Sequence, residues 1–112
     1  MRMLKGEREI LSDVLIADTF FKRSKGLLGT SDLSEGKALL ITPCNSIHMF
    51  FMKYPLDVLF LNDKGIVVGM VKNIQPWRAS RIYFKATMTL EMRSGTIDAF
   101  EIQYGDTLIF QP

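Results

Sequence analysis

Apolar positions along the chain fall in short runs separated by turn residues, and their spacing is mostly that of β-strands. Residues 56–61 and 66–71 are two such runs on either side of an Asn-Asp-Lys-Gly turn, which predicts a β-hairpin. Residues 87–92 alternate with a period of two, so their methionines and leucine are expected on one face of a half-buried strand, with Glu91 on the other.

Further strands and two short helices are predicted outside the hairpin. Residues 10–17 and 107–110 have the apolar and β-branched content of strands. Capping residues and glycines predict helices over about residues 19–28 and 95–102. Because these helices are too few and too short to cover both faces of a parallel sheet, a mainly β fold is expected, a single compact antiparallel barrel or sandwich.

Length and composition fit one domain over residues 1–112, with residues 1–8 expected to be loose. The 14 Lys and Arg residues against 12 Asp and Glu give a net charge of +2, which does not indicate a polyanion-binding protein. No apolar run approaches the length of a membrane span or a signal peptide core, so a soluble, cytoplasmic protein with no membrane partner is expected.

The single cysteine and the single histidine lie together in the segment 44–52, whose conformation decides what they can do. In a strand, Cys44 and His48 would be about 13 Å apart at the usual rise per residue, too far for a nucleophile and its base. In a helix they would be neighbours at i and i+4. The β character of the surrounding sequence favours the strand.

His48 is a candidate catalytic base or ligand-binding group because imidazole titrates near neutral pH, whereas the simpler interpretation is a hydrogen bond to the backbone. With Cys44, Met49 and Met52 it could supply soft donors for Cu(I). Strand spacing places Met49 on the opposite face, and there is no pair of cysteines or histidines to anchor an ion. The sequence therefore predicts no metal and no other cofactor.

Asp57 follows Pro55 and begins an apolar run, so its carboxylate is expected to be buried and therefore paired or neutralised. Lys53 is the nearest cation in the sequence. An ion pair between the two, or an Asp57 that accepts backbone N–H groups at the bend, is favoured over a catalytic role.

Cations and aromatic residues alternate over residues 77–85, from Trp77 to Lys85, a composition that can stack nucleobases and neutralise phosphates. A solvated polar face beside the edge of the core explains the same residues, so nucleic acid is the less favoured partner.

Several motifs in one order resemble those of the uncharacterised family called domain of unknown function 192. They are Lys25-Gly-Leu-Leu-Gly29, Ser46-Ile-His-Met-Phe-Phe-Met-Lys53, Pro55-Leu-Asp-Val-Leu-Phe-Leu61, Pro76-Trp77, Leu90-Glu91 and Gly105-Asp106. The resemblance implies a compact, mainly β domain and no assigned activity. The polar or soft residues inside these motifs are the site candidates that it implies: His48, Met52, Lys53, Asp57 and Glu91.

Three functional hypotheses follow. The favoured one is a non-enzymatic domain that binds a small molecule or a peptide on the face around His48, Met52, Lys53, Asp57 and Trp77. The alternative is a small hydrolase-like enzyme with His48 or Asp57 as general base and Lys53 as electrostatic stabiliser. The third is a nucleic-acid-binding surface over residues 77–85.

Overall fold

Eight strands and two short helices make up the fold, which a computed structural model describes for all of residues 1–112. In chain order the elements are β1 (Arg2–Lys5), β2 (Arg8–Leu11), β3 (Asp13–Ala17), α1 (Phe20–Lys25), β4 (Lys37–Ile41), β5 (Leu56–Leu61), β6 (Val67–Ile74), β7 (Met88–Arg93), α2 (Thr96–Ala99) and β8 (Leu108–Gln111). The mainly β prediction is confirmed, as is the hairpin, formed by β5 and β6. Neither helix, at six and four residues, is long enough to cross a membrane.

The strands form two sheets and no closed barrel. One sheet has three antiparallel strands in the order β2-β1-β8, and the other has five in the order β3-β4-β7-β5-β6. The prediction of an antiparallel sheet is wrong for one pair, because β3 and β4 are parallel. A parallel pair needs a crossover connection, and residues 18–36, which include α1, provide it.

The two ends of the chain lie side by side in the smaller sheet. Strand β1 pairs with both β2 and β8, and Met3 is completely buried, so the expectation that residues 1–8 are loose is wrong. The strand predicted over residues 10–17 is two strands, because the chain passes from one sheet to the other at Ser12. Both helices are shorter than predicted.

The five-stranded sheet is covered on both faces. A cluster of 14 buried residues lies between the two sheets and includes Leu90 and Met92 of β7. A second cluster of 10 residues lies on the opposite face, where long loops and not a sheet cover the strands. The predicted alternation of β7 is therefore confirmed, but its other face, with Thr89 and Glu91, is buried as well.

Residues 42–55 form neither the predicted strand nor the alternative helix. The segment is a loop held by backbone hydrogen bonds to the loop 75–87, among them Met49 N–H to Arg78 O and Trp77 N–H to Met49 O, both 2.7 Å. The only β-type pairing in the segment is an isolated bridge between His48 and Ala79. Ile47, Met49 and Met52 of this loop are buried against the larger sheet, whereas Phe50 and Phe51 are exposed.

Candidate functional site

A cleft of about 190 Å³ lies on the loop-covered face of the five-stranded sheet. Its walls come from α1 and the turn after it, from the loop 42–55, and from the larger sheet. We call it the Glu91 cleft. Its lining residues are Arg23, Ser24, Lys25, Gly26, Leu27, Leu28, Ile41, Pro43, Cys44, Ser46, Ile47, His48, Met52 and Glu91.

Glu91 enters the cleft from the middle of the larger sheet. It lies on β7, opposite Leu39 of β4 on one side and Val58 of β5 on the other. Because side chains of adjacent β residues point to opposite faces, Glu91 points away from the core that Leu90 and Met92 share. Loops and α1 cover this face, and the cleft lies between them.

The Glu91 carboxyl group is buried without a partner. The residue is 6% exposed, no group of the protein donates a hydrogen bond to it, and it takes part in none of the ion pairs. No completely buried side-chain oxygen in the molecule lacks a partner, so the carboxyl oxygens must contact the open space of the cleft. Burial raises the pKa of Glu91 from 4.5 to about 7.

Two cations lie on the α1 side of the cleft. Arg23 is half-buried and Lys25 is exposed, and neither forms an ion pair. Both belong to the last turn of α1. The helix is capped at its N-terminus by Thr19, whose hydroxyl accepts the Lys22 N–H. The cleft thus has unpaired positive charge on one side and an unpaired acid inside.

Cys44, His48 and Met52 also line the cleft; the Cys44 thiol and His48 Nδ1 have local partners, whereas His48 Nε2 makes no hydrogen bond within the protein. The Cys44 thiol donates to Ser46 O at 3.1 Å, and His48 Nδ1 accepts the Phe50 N–H at 3.4 Å. Met52 is buried at 8% exposure. The loop brings the thiol and the imidazole into one cleft, which the predicted strand would not, but no hydrogen bond joins them.

Exposed aromatic rings continue from His48 along the surface next to the cleft. His48 stacks on Phe50 with ring centroids 4.8 Å apart, and Trp77 lies 6.3 Å from Phe50 and 4.8 Å from Phe51. Phe51 and Trp77 have φ angles of 66° and 70°, a left-handed conformation uncommon in bulky residues. Trp77 does not line the cleft, but Phe50 connects it to His48, which does.

Asp57 and Lys53 lie outside the cleft, and they do not pair with each other. Asp57 is 1% exposed and accepts three backbone N–H groups: Asn73 at 2.8 Å, Gly95 at 3.1 Å and Ile97 at 2.9 Å. Of the two structural interpretations, the backbone-bonded carboxylate is the one observed, although the donors come from β6 and the start of α2 and not from the bend at Pro55. Lys53 is exposed.

Of the six predicted site residues, the cleft brings together His48, Met52 and Glu91. Sequence reasoning missed Arg23 and Lys25, which look like ordinary cations at the end of a helix. A signal was present: the resemblance to the family includes the stretch from Lys25 to Gly29, whose first four residues line the cleft.

Comparison with known proteins places this architecture in a family. The family model for domain of unknown function 192 (DUF192), described as "Uncharacterized ACR", matches residues 3–110. A UPF0127 protein of Thermococcus sibiricus is 38% identical over 99 residues, which are 85% of this chain and 64% of that protein, so the chain spans less than two thirds of this relative. A UPF0127 protein of Pyrococcus furiosus is 33% identical over 115 residues, 96% of this chain and 94% of the relative.

Two solved structures share the fold. A protein of unknown function from Novosphingobium aromaticivorans matches with a TM-score of 0.78 and 20% identity, covering 87% of this chain and 74% of that one. A candidate transcription regulator from Sinorhizobium meliloti matches with a TM-score of 0.80 and 22% identity, covering 96% of this chain and 89% of that one. From the sequence match over nearly its whole length, the chain belongs to the uncharacterised DUF192 family.

Proposed function

We propose that this protein is a non-enzymatic binding domain that takes a small molecule into the Glu91 cleft. The observation that carries the proposal is the Glu91 carboxyl group, which is buried, has no partner within the protein and contacts the open space of the cleft. Buried carboxyl groups are normally satisfied by the protein itself, as Asp57 is by three backbone N–H groups. A ligand that hydrogen-bonds to Glu91 would satisfy it in the same way.

The surroundings of Glu91 have the composition of a small-molecule site. Leu27, Ile41 and Met52 give the cleft apolar walls, and a few polar groups converge on it. A pKa near 7 allows the carboxyl group to donate or to accept a hydrogen bond close to neutral pH. This site differs from the face expected from the sequence, because Lys53, Asp57 and Trp77 are not among its lining residues.

The hydrolase hypothesis has less support. Its proposed base Asp57 and stabiliser Lys53 do not line the cleft that contains His48. Cys44 could serve as a nucleophile only with a base in reach, and its thiol donates to a backbone carbonyl instead. The arrangement thus lacks a nucleophile, a base and an orienting group in mutual contact.

The experiment is a screen of metabolite-sized molecules by NMR, with the methyl signals of Ile41, Ile47 and Met52 as reporters of the cleft. The expected result is a set of ligands that shift these signals, and whose affinity falls at least about tenfold in Glu91→Gln. Glu7→Gln is the matched control, since Glu7 is exposed and lies in the turn between β1 and β2. Ligands that bind elsewhere, or equally well to Glu91→Gln, would contradict the proposal.

A further inference from the structure

Unpaired charges of opposite sign lie on two sides of the Glu91 cleft and do not reach each other. Arg23 and Lys25 line the side formed by α1, and neither is in an ion pair with Glu91 or any other acid. Because the two cations and Glu91 line the same cleft without pairing, a ligand in the cleft can contact both.

The lining of the cleft is mixed, with polar and apolar residues in similar proportion. Leu27 and Leu28 follow the two cations along the chain, and Ile41 and Met52 contribute from the other walls. These apolar residues suit a short chain of methylene groups, which gains free energy when it leaves water. A ligand with such a methylene chain would carry its polar groups at its two ends, where they can contact Glu91 and the two cations.

We propose that the Glu91 cleft binds a small zwitterion, an aliphatic ω-amino acid whose ammonium group contacts Glu91 and whose carboxylate faces Arg23 and Lys25. This inference rests on the proposed function and names its ligand class. An ammonium group supplies the donors that the buried carboxyl group lacks. The carboxylate of the ligand pairs with cations that have no acidic partner in the protein.

Ligands with a single charged group satisfy only half of the cleft. A monocarboxylate would cover Glu91 with methylene groups, leaving a buried acid without a partner, which is costly. A monoamine would pair with Glu91 but make no use of Arg23 and Lys25. The zwitterion is the simplest molecule that pairs with Glu91 and the two cations and can also contact the apolar residues of the lining.

The test compares ligands of equal length on the intact chain. γ-Aminobutyrate and ε-aminocaproate are titrated at about pH 8, each beside its monoamine and its monocarboxylate, with the methyl signals of Ile41 and Met52 as reporters. At least one ω-amino acid is expected to bind at least about tenfold more tightly than both of its singly charged analogues. Affinities within about threefold of each other, or no shift of the cleft signals by either amino acid, would overturn the inference.

Variants assign the two ends. Glu91→Gln is expected to remove the preference for the amino acid over the monocarboxylate. The double variant Arg23→Gln/Lys25→Gln is expected to remove the preference for the amino acid over the monoamine. Lys85→Gln and Glu7→Gln, both exposed residues outside the cleft, are the matched controls and should keep both preferences. If other molecules bind the cleft through Glu91 while the amino acids show no preference, this inference fails and the proposed function stands. If no molecule binds there, both fail.

Discussion

Two carboxyl groups of this protein are buried, and they differ in whether the protein supplies them with hydrogen-bond donors. Asp57 accepts three backbone N–H groups and ties β6 and the start of α2 to β5, whereas Glu91 has no partner in the protein. The sequence marks Asp57 as unusual, because it begins an apolar run, whereas the alternation of residues 87–92 places Glu91 on the polar face of a half-buried strand. It does not say which is satisfied, because the three donors to Asp57 come from residues 16 to 40 positions away.

The stability of the protein should depend on pH through Glu91. The folded chain holds the Glu91 proton up to a pKa of about 7, while the unfolded chain releases it near 4.5. The free energy of unfolding therefore falls as pH rises through this window, by about 2–3 kcal/mol between pH 5 and pH 8. Glu91→Gln has no titrating group at this position, so its free energy of unfolding does not fall in this way. From pH 5 to pH 8 the stability of the variant relative to the wild type should therefore rise by that amount, as measured by urea denaturation. Parallel pH curves for the two proteins would contradict this.

Asp57→Asn should destabilise the fold. The amide keeps one acceptor oxygen and turns an N–H₂ group toward backbone donors, so at least one buried hydrogen bond is lost. The expected loss is about 2–4 kcal/mol of unfolding free energy in urea. Asp63→Asn, in the exposed hairpin turn, is the matched control and should resemble the wild type. A loss no larger than that of the control would show that Asp57 is not a structural acceptor.

At the scale of elements, the sequence pattern predicted those elements whose contacts are close in the chain. The hairpin of β5 and β6 follows from two apolar runs and an Asn62–Gly65 turn, in which the Asn62 side chain accepts the Lys64 and Ile66 N–H groups. The loop 42–55 was not predictable in this way. Its buried residues Ile47, Met49 and Met52 cover the larger sheet, and its backbone hydrogen bonds go to a loop 28 to 43 residues away, information that no short window contains.

The packing of that loop-covered face can be tested at Gly69 of β6. Gly69 pairs with Phe60 across the hairpin, and the ring of Tyr83 lies over Gly69 and stacks on Phe60 with centroids 4.0 Å apart. A β-carbon at residue 69 would overlap the Tyr83 ring. Gly69→Ala is therefore expected to cost about 1–3 kcal/mol of unfolding free energy.

A double-mutant cycle separates this clash from a general effect of alanine in a strand. In the Tyr83→Ala background the ring is absent, so Gly69→Ala should cost much less than in the wild type. Equal costs in both backgrounds would mean that the contact with Tyr83 is not the cause.

At the scale of the whole molecule, the proposed binding site and the stability of the fold share one titrating group. An ammonium ligand prefers ionised Glu91, so the affinity for an ω-amino acid should rise about tenfold between pH 6 and pH 8. Other charged or titratable groups face the same region: Arg23, Lys25, Cys44, His48 and Tyr54. Calorimetric titration at several pH values should show this rise in the wild type and in His48→Gln, but not in Glu91→Gln. An unchanged affinity, or a rise that disappears with His48, would contradict the role of Glu91.

The parallel pairing of β3 with β4 forces residues 18–36 to leave the sheet, and this excursion supplies one wall of the cleft. None of the residues from Arg23 to Leu28 makes a backbone hydrogen bond to a strand. Because the entropy of closing a loop grows slowly with its length, a longer or shorter excursion that keeps Leu33 in the core would cost the strand pairing little. Exchanging this one connection would therefore alter which molecules fit above Glu91 without redesigning either sheet, a simple route to diversification on a constant scaffold.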